Sequence, residues 1–203
     1  MAEREKKAGQ RGDRKDKGLL DRLMGSVSGS PEESGSPSAT ELLESQHDEV
    51  RELFKQYDRA GENKHATRKR LIDEASDKLE VHAELEEKIF YPACRDLDDE
   101  DARKMVGESI EEHLIVKRLI KELRGLDGSD EQFEAKAAVL KESVEHHADE
   151  EEKDLFPAAK KELGGDELEN LGRQMLALKQ KLAGRKASPK TQRSESRSSG
   201  ART

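Results

Sequence analysis

The chain has 203 residues, room for one ordinary domain, and is 41% charged, 32% hydrophobic and 3% aromatic with no tryptophan. That composition excludes a β-sandwich, which needs many β-branched and aromatic residues, and fits helices with one apolar stripe under a charged outer face. Net charge is −8; residues 1–24 carry eight Lys/Arg against five Asp/Glu and residues 184–203 six against one, which with Glu32 and Glu33 leaves 39–183 at −14. An acidic body argues against nucleic acid as partner of the folded part, and the basic ends read as solvated tails.

Residues 1–38, rich in Gly, Ser, Pro, Lys and Glu, are expected to be disordered; Leu19-Leu20 and Leu23-Met24 make at best one amphipathic turn. Ser38-x-x-Glu41 reads as a capping box opening a first helix over about 40–60, with Leu43, His47, Val50, Phe54 and Tyr57 on one face. After Gly61-Glu62-Asn63 a second helix runs over about 64–90, its stripe Ile72, Ala75, Leu79, His82, Glu86 and Ile89, and is expected to stop before Pro92. Asp98-Asp99 precede a third, about 99–124, with Val106, Ile110, His113, Val116, Ile120 and Leu123. Ser129-x-x-Gln132 is expected to open a fourth, about 130–155, with Phe133, Ala137, Leu140, Val144, His147, Glu151 and Leu155, ended or bent by Pro157. A further amphipathic segment (Leu168, Leu171, Met175, Leu178, Leu182) either crosses the bundle or makes a dimer contact.

Short connections make antiparallel neighbours, so the expected fold is all-α, an up-down-up-down four-helix bundle over 39–158. A C-terminal helix (159–183) and a disordered basic tail (184–203) follow it. A lone Cys94 excludes an internal disulfide, and no apolar run has the length of a membrane span or signal core. The expected location is the cytoplasm, with no membrane partner; the sequence does not set the oligomeric state.

The chain then repeats itself. His82-Ala83-Glu84-Leu85-Glu86-Glu87-Lys88-Ile89-Phe90-Tyr91-Pro92-Ala93 aligns without a gap on His147-Ala148-Asp149-Glu150-Glu151-Glu152-Lys153-Asp154-Leu155-Phe156-Pro157-Ala158. His47 and His113 precede the two copies, the halves being offset by 66 and 65 residues, and four of only six histidines fall on this pattern. All four, with Glu86 and Glu151, lie on stripes that face the bundle interior. Burying bare carboxylates costs several kcal/mol each, so six ligand-type residues in one duplicated order point to metal. His65 lies off the stripe, and His146 with Glu150 falls about 100° away from the interior face, which puts them on the flank or behind the ligands as outer partners.

Four imidazoles and two carboxylates exceed the needs of one tetrahedral zinc. They suit two first-row ions, two His on each and both Glu bridging, iron fitting best, with an oxo or hydroxo bridge. A ferritin-like site would need Glu-x-x-His twice; Glu44-x-x-His47 supplies one, whereas Ile110 stands three before His113, so Glu44 remains at most an extra or outer ligand. Tyr57 and Tyr91 read as packing at the ends of the core, and Cys94 as a passive thiol. No Gly-rich phosphate loop, Cys-x-x-Cys pair or nucleophile elbow competes.

His47, His82-x-x-x-Glu86, His113 and His147-x-x-x-Glu151, with Glu86-Glu87-x-x-x-x-Pro92 and Glu151-Glu152-x-x-x-x-Pro157, resemble the hemerythrin-like (HHE cation-binding) family over about 39–158. The resemblance implies a left-handed four-helix bundle around two non-haem iron ions, with those six residues as ligands. Oxygen-carrying members have His-x-x-x-His on the third helix, whereas position 117 here is Lys117. One fewer imidazole leaves both metals open and speaks against a simple oxygen carrier. The implied role is binding or sensing of a small diatomic or oxidant ligand (oxygen, nitric oxide or peroxide) in stress or iron handling. Two other readings stand beside it: an enzyme turning over peroxide or nitric oxide, and a metal-stabilised structural bundle.

Overall fold

The computed structural model describes residues 36–187, and no strand occurs among them. The segments expected to be disordered fall mostly outside the described residues. The exceptions are residues 36–38, which lead into the first helix, and 184–187, which prolong the last one rather than joining a tail.

Helix α1 (Ala39–Arg59) opens on the expected capping box: Ser38 N–H donates to Glu41 Oε2 at 2.9 Å and Glu41 N–H to Ser38 Oγ at 3.4 Å. It closes at Gly61, whose φ of 74° is the left-handed turn that glycine adopts without a Cβ clash. Helix α2 (His65–Leu85) does not stop before Pro92. It runs into a π-helical turn, Glu86–Phe90, and on through α3 (Tyr91–Arg95). The expectation fails for a physical reason. Pro ends an α-helix by lacking an N–H and by pressing its ring on the carbonyl four residues back. In the π turn, Tyr91 N–H bonds Glu86 O, five residues back, and the widened ladder leaves room for the ring.

Helix α4 (Glu100–Arg124) is capped by Asp99, which accepts from Ala102 N–H at 3.0 Å. Helix α5 (Glu131–Glu150) is capped by Asp130 rather than by Ser129: Asp130 accepts from Gln132 N–H at 2.9 Å, while Ser129 Oγ donates to Asp127. Aspartate is the stronger acceptor, so the cap moves one residue on. A second π turn, Glu151–Leu155, again accommodates a proline, Pro157, and the chain continues as α6 (Phe156–Ala187), kinked at Gly164 (φ 75°, ψ 171°).

α1 packs on α2 and α4 on α5, while α2–α4 and α1–α5 contacts close the ring, giving the expected up-down-up-down bundle. α6 lies along α1, burying Leu168, Leu171 and Met175 with Ala39, Leu42 and Leu43, so its stripe covers the bundle. The approach is close at Gly172, where a Cβ would lie 2.1 Å from Pro37 O.

Two apolar cores result. One gathers Leu43, Leu85, Phe90, Leu155 and Phe156 beneath α6; the other holds Phe54, Ile72, Ile120, Leu123, Phe133 and Leu140. Between them lies a layer of buried polar residues, His47, His82, Glu86, His113, His147 and Glu151. Among the described residues, no helix is long and apolar enough to cross a membrane.

Candidate metal centre

All six sequence-selected residues meet in this layer, none more than 6% exposed. The imidazoles form two pairs: His47 Nε2 lies 3.1 Å from His82 Nε2, and His113 Nε2 lies 3.2 Å from His147 Nε2. The carboxylates span both pairs. Glu86 Oε1 is 3.2 Å from His82 Nε2 and its Oε2 3.3 Å from His113 Nε2. Glu151 Oε2 lies between His47 Nε2 (3.4 Å) and His147 Nε2 (3.5 Å). Donor atoms of His47, His82, Glu86 and Glu151 therefore fall within 4.8 Å of one another, as do those of Glu86, His113 and His147.

The outer face of each imidazole is fixed as well. His47 Nδ1 meets Glu152 Oε1 at 2.8 Å, His82 Nδ1 meets Gln46 Oε1 at 3.1 Å, His113 Nδ1 meets Glu87 Oε1 at 2.9 Å, and His147 Nδ1 meets Glu112 Oε2 at 2.8 Å. An oxygen acceptor holds the ring hydrogen on Nδ1, leaving the Nε2 lone pair pointing inward, as a metal-ligating histidine requires. Two facing lone pairs about 3 Å apart repel unless a proton or cation lies between them. Glu86 Oε1, Glu86 Oε2 and Glu151 Oε2 are also buried without a hydrogen-bond donor. Uncompensated carboxylate oxygens at such depth are costly, and a cation among them removes the cost. The residues present therefore fit a metal.

The outer partners reveal how thoroughly the halves are duplicated. Glu87 and Glu152 follow the two interior glutamates, and each anchors the lone histidine of the other half. Gln46 and Glu112 precede His47 and His113, and each anchors the histidine of a His-x-x-x-Glu motif. Arg51 Nη1 holds Glu152 at 2.7 Å, and at the matching position Lys117 Nζ holds Glu87 at 2.5 and 2.7 Å. Lys117, notable in the sequence for replacing a fifth imidazole, is thus the cation that fixes the outer carboxylate of His113. Gln46, Glu87, Glu112 and Glu152 flank the stripe, so the stripe does not mark them as anchors; the repeat offset, 66 residues between Gln46 and Glu112 and 65 between Glu87 and Glu152, is the signal that pairs them.

Tyr91 is not merely end packing. Its hydroxyl donates to Glu151 Oε1 at 2.8 Å, and its ring stacks on His113 at 5.6 Å. Phe156, its counterpart in the second copy, stacks on His47 at 5.9 Å but has no hydroxyl, so both oxygens of Glu86 stay without a donor. The π turns cause this placement: one extra residue per turn rotates positions 91 and 156 onto the interior. Burial, then the charges of Glu86 and Glu151, push the Tyr91 phenol well above its ordinary range, so it remains a proton donor. Tyr91→Phe is expected to leave Glu151 Oε1 unpaired and to cost the metal-free bundle about 1–3 kcal/mol in denaturant unfolding; unchanged stability of the Tyr91→Phe chain would contradict that role.

The remaining candidates lie elsewhere. Tyr57 belongs to the second core, with Arg68 4.2 Å over its ring. Glu44 is held by Lys160 at 2.8 Å, outside the layer. The His146 side chain is 63% exposed and pairs with Glu150 at 3.4 Å; with Glu112 these form a separate surface group. His65 is exposed and contacts Gly128 O. Cys94 is buried and its thiol is pushed up to about 12 by burial and by the charges of Glu151 and Glu86, leaving it protonated and passive.

Above the imidazoles sits a small, partly enclosed cavity of about 20 Å³ lined by Val50, Leu79, Ala83, Val116, Val144 and Gln46. That is room for the centre of one water-sized molecule.

A helical bundle with this interior is a cation-binding protein in its donor set. Residues 38–159 match the hemerythrin HHE cation-binding domain, so the chain belongs to that family. A solved hemerythrin HHE cation-binding domain-containing protein of Mycobacterium kansasii is similar, with 29% identity and a TM-score of 0.60 over 73% of this chain and 89% of that one. A DNA nickase of a Nostoc species is 30% identical over 105 residues, 51% of this chain; the chain spans only 29% of that relative's length.

Proposed function

We propose that the chain binds a pair of iron ions, one held by His47 and His82 and the other by His113 and His147. Glu86 and Glu151 are shared between them. The pair takes up or senses a small ligand: oxygen, nitric oxide or peroxide. The observation that carries this reading is the two imidazole pairs facing shared carboxylates beneath a small, partly enclosed cavity of about 20 Å³. Mixed imidazole and carboxylate donors favour iron, which when bound supplies redox chemistry and open coordination positions.

The chain's own residues do the rest. The Nδ1 partners aim the imidazoles, the two interior carboxylates offset cationic charge, and Tyr91 holds a proton at Glu151 Oε1. Val50, Leu79, Val116 and Val144 limit water near the imidazoles. The nicking named for the Nostoc relative is not part of the proposal, since residues 39–183 carry −14 and would repel a nucleic-acid backbone. In this reading the protein acts in the cytoplasm, in stress or iron handling.

The test is anaerobic reduction of the iron-loaded protein followed by addition of oxygen, nitric oxide or hydrogen peroxide under spectroscopic observation. A stable, stoichiometric band change is the expected result. Steady peroxide or nitric oxide consumption would instead make the protein an enzyme, and no response to any of the three would refute the reading.

A further inference from the structure

Gln46 is 7% exposed, and its two amide atoms have different fates. Oε1 accepts from His82 Nδ1, whereas Nε2 is buried without any hydrogen-bond partner. A buried donor left unmade costs about 1–3 kcal/mol. Anchoring His82 does not demand an amide, because the duplicated position uses a carboxylate: Glu112 accepts from His147 Nδ1 at 2.8 Å. A carboxylate would hold His82 at least as strongly and would leave no unused donor. The unpaired N–H2 is therefore the feature that sets this position apart from its counterpart.

Gln46 also occupies a singular place. It lines the partly enclosed cavity over the imidazoles, and it lines a more open groove of about 370 Å³ formed outside by Glu49, Glu74, Lys78, Val81 and Lys179. It is the residue these two spaces share. The rest of the cavity wall is aliphatic or imidazole, without a second amide.

We propose that Gln46 is the door between the surface groove and the cavity, and that its Nε2–H2 donates a hydrogen bond to the small acceptor ligand that passes it. The ligand class is a two- or three-atom molecule or anion with a hydrogen-bond acceptor, such as dioxygen, peroxide or azide. This inference rests on the functional reading above for the ligand's destination, but the door itself is a property of the metal-free fold.

The experiment has two arms. In the metal-free protein, dissolved dioxygen is used as a paramagnetic probe, and relaxation of the Val50 and Val144 methyl resonances reports its access to the cavity. In the diferric protein, azide association and affinity are followed by absorbance, with iron content measured in every variant. Gln46→Ala, which removes the plug, is expected to raise dioxygen-induced relaxation several-fold and to speed azide association. Gln46→Leu, which fills the space without a donor, is expected to keep wild-type relaxation and to weaken azide binding about fivefold, the value of one hydrogen bond.

Relaxation unchanged in Gln46→Ala overturns the door. An equal rise in both variants also overturns it, since the effect would then come from releasing His82. Unchanged azide affinity in an iron-loaded Gln46→Leu protein overturns the donor role. Failure of the wild-type diferric protein to bind azide refutes the functional reading instead, and the relaxation arm still decides the door.

Discussion

His147→Ala is expected to abolish retention of a metal pair, while His146→Ala keeps it, although the two residues are adjacent. His147 is 6% exposed, 3.2 Å from His113 Nε2 and tied through Nδ1 to Glu112. Its removal takes one of two imidazoles from a half-site and leaves Glu112 and Glu151 Oε2 without that neighbour. A metal bound at 100 to 1,000 times its Kd stabilises the fold by about 3–4 kcal/mol, and His147→Ala forfeits that along with the metal. His146 points outward against Glu150, and exposed pairs of that kind contribute about 0–1 kcal/mol. The readout is metal content after gel filtration, with thermal unfolding before and after chelation. Equal metal loss in both variants would place the last helix in a different register.

Removing the metal should also make stability strongly pH-dependent. Burial alone would lower His147, but Glu151, Glu112 and Glu86 outweigh it and raise its pKa to about 9. His47 is raised by the same balance, through Glu151, Glu86 and Glu152. A histidine with a raised folded pKa contributes stability that is complete below its unfolded value of about 6.5 and is lost as pH rises through the folded value. For His147 the window is about 6.5 to 9, and the loss is about 3 kcal/mol.

Acid acts through different groups. Burial, outweighing Glu86, keeps His82 below its ordinary value, so protons favour the unfolded chain below pH about 6.5. Despite its burial Glu86 is held well below the usual carboxylate range by His82 and His113, and its contribution is lost as pH falls through that depressed value. The metal-free bundle should therefore unfold most reluctantly near pH about 6–7 and lose stability on both sides. Metal takes over from protons between the imidazoles, so the loaded protein should lose much less between pH about 6.5 and 9. Chemical denaturation at a series of pH values, with and without chelator, measures this. A metal-free protein no less stable at pH 9 than at 6.5 would contradict the charge balance drawn for the interior.

The bundle is legible in the sequence because each helix keeps one stripe through four or five turns, and because the gapless copies place His82 with His147 and Glu86 with Glu151. The inward convergence of six polar residues follows from that same period. What escapes the period is the break in it. Pro92 reads locally as a stop, and only the i→i−5 bonding of Glu86–Phe90 lets the helix pass through it. The same turn re-aims Tyr91 from the end of a core onto Glu151, which no 3.6-residue stripe would show. Gln46, Glu87, Glu112 and Glu152 flank the stripe and acquire meaning only when neighbouring helices bring imidazoles to them. The destination of the last amphipathic segment depends on Gly172 and Pro37, residues far apart in the chain, and so is a matter of packing rather than local pattern.

In the proposed function the buried layer holds a pair of metal ions on Nε2 atoms and shared carboxylates. Anomalous diffraction at the iron absorption edge from crystals of the iron-loaded protein tests it most directly. Two resolved peaks are expected in the layer, one beside His47 and His82 and one beside His113 and His147, with Glu86 and Glu151 reaching both. A single peak there, or density confined to the surface group of Glu112, His146 and Glu150, would contradict it.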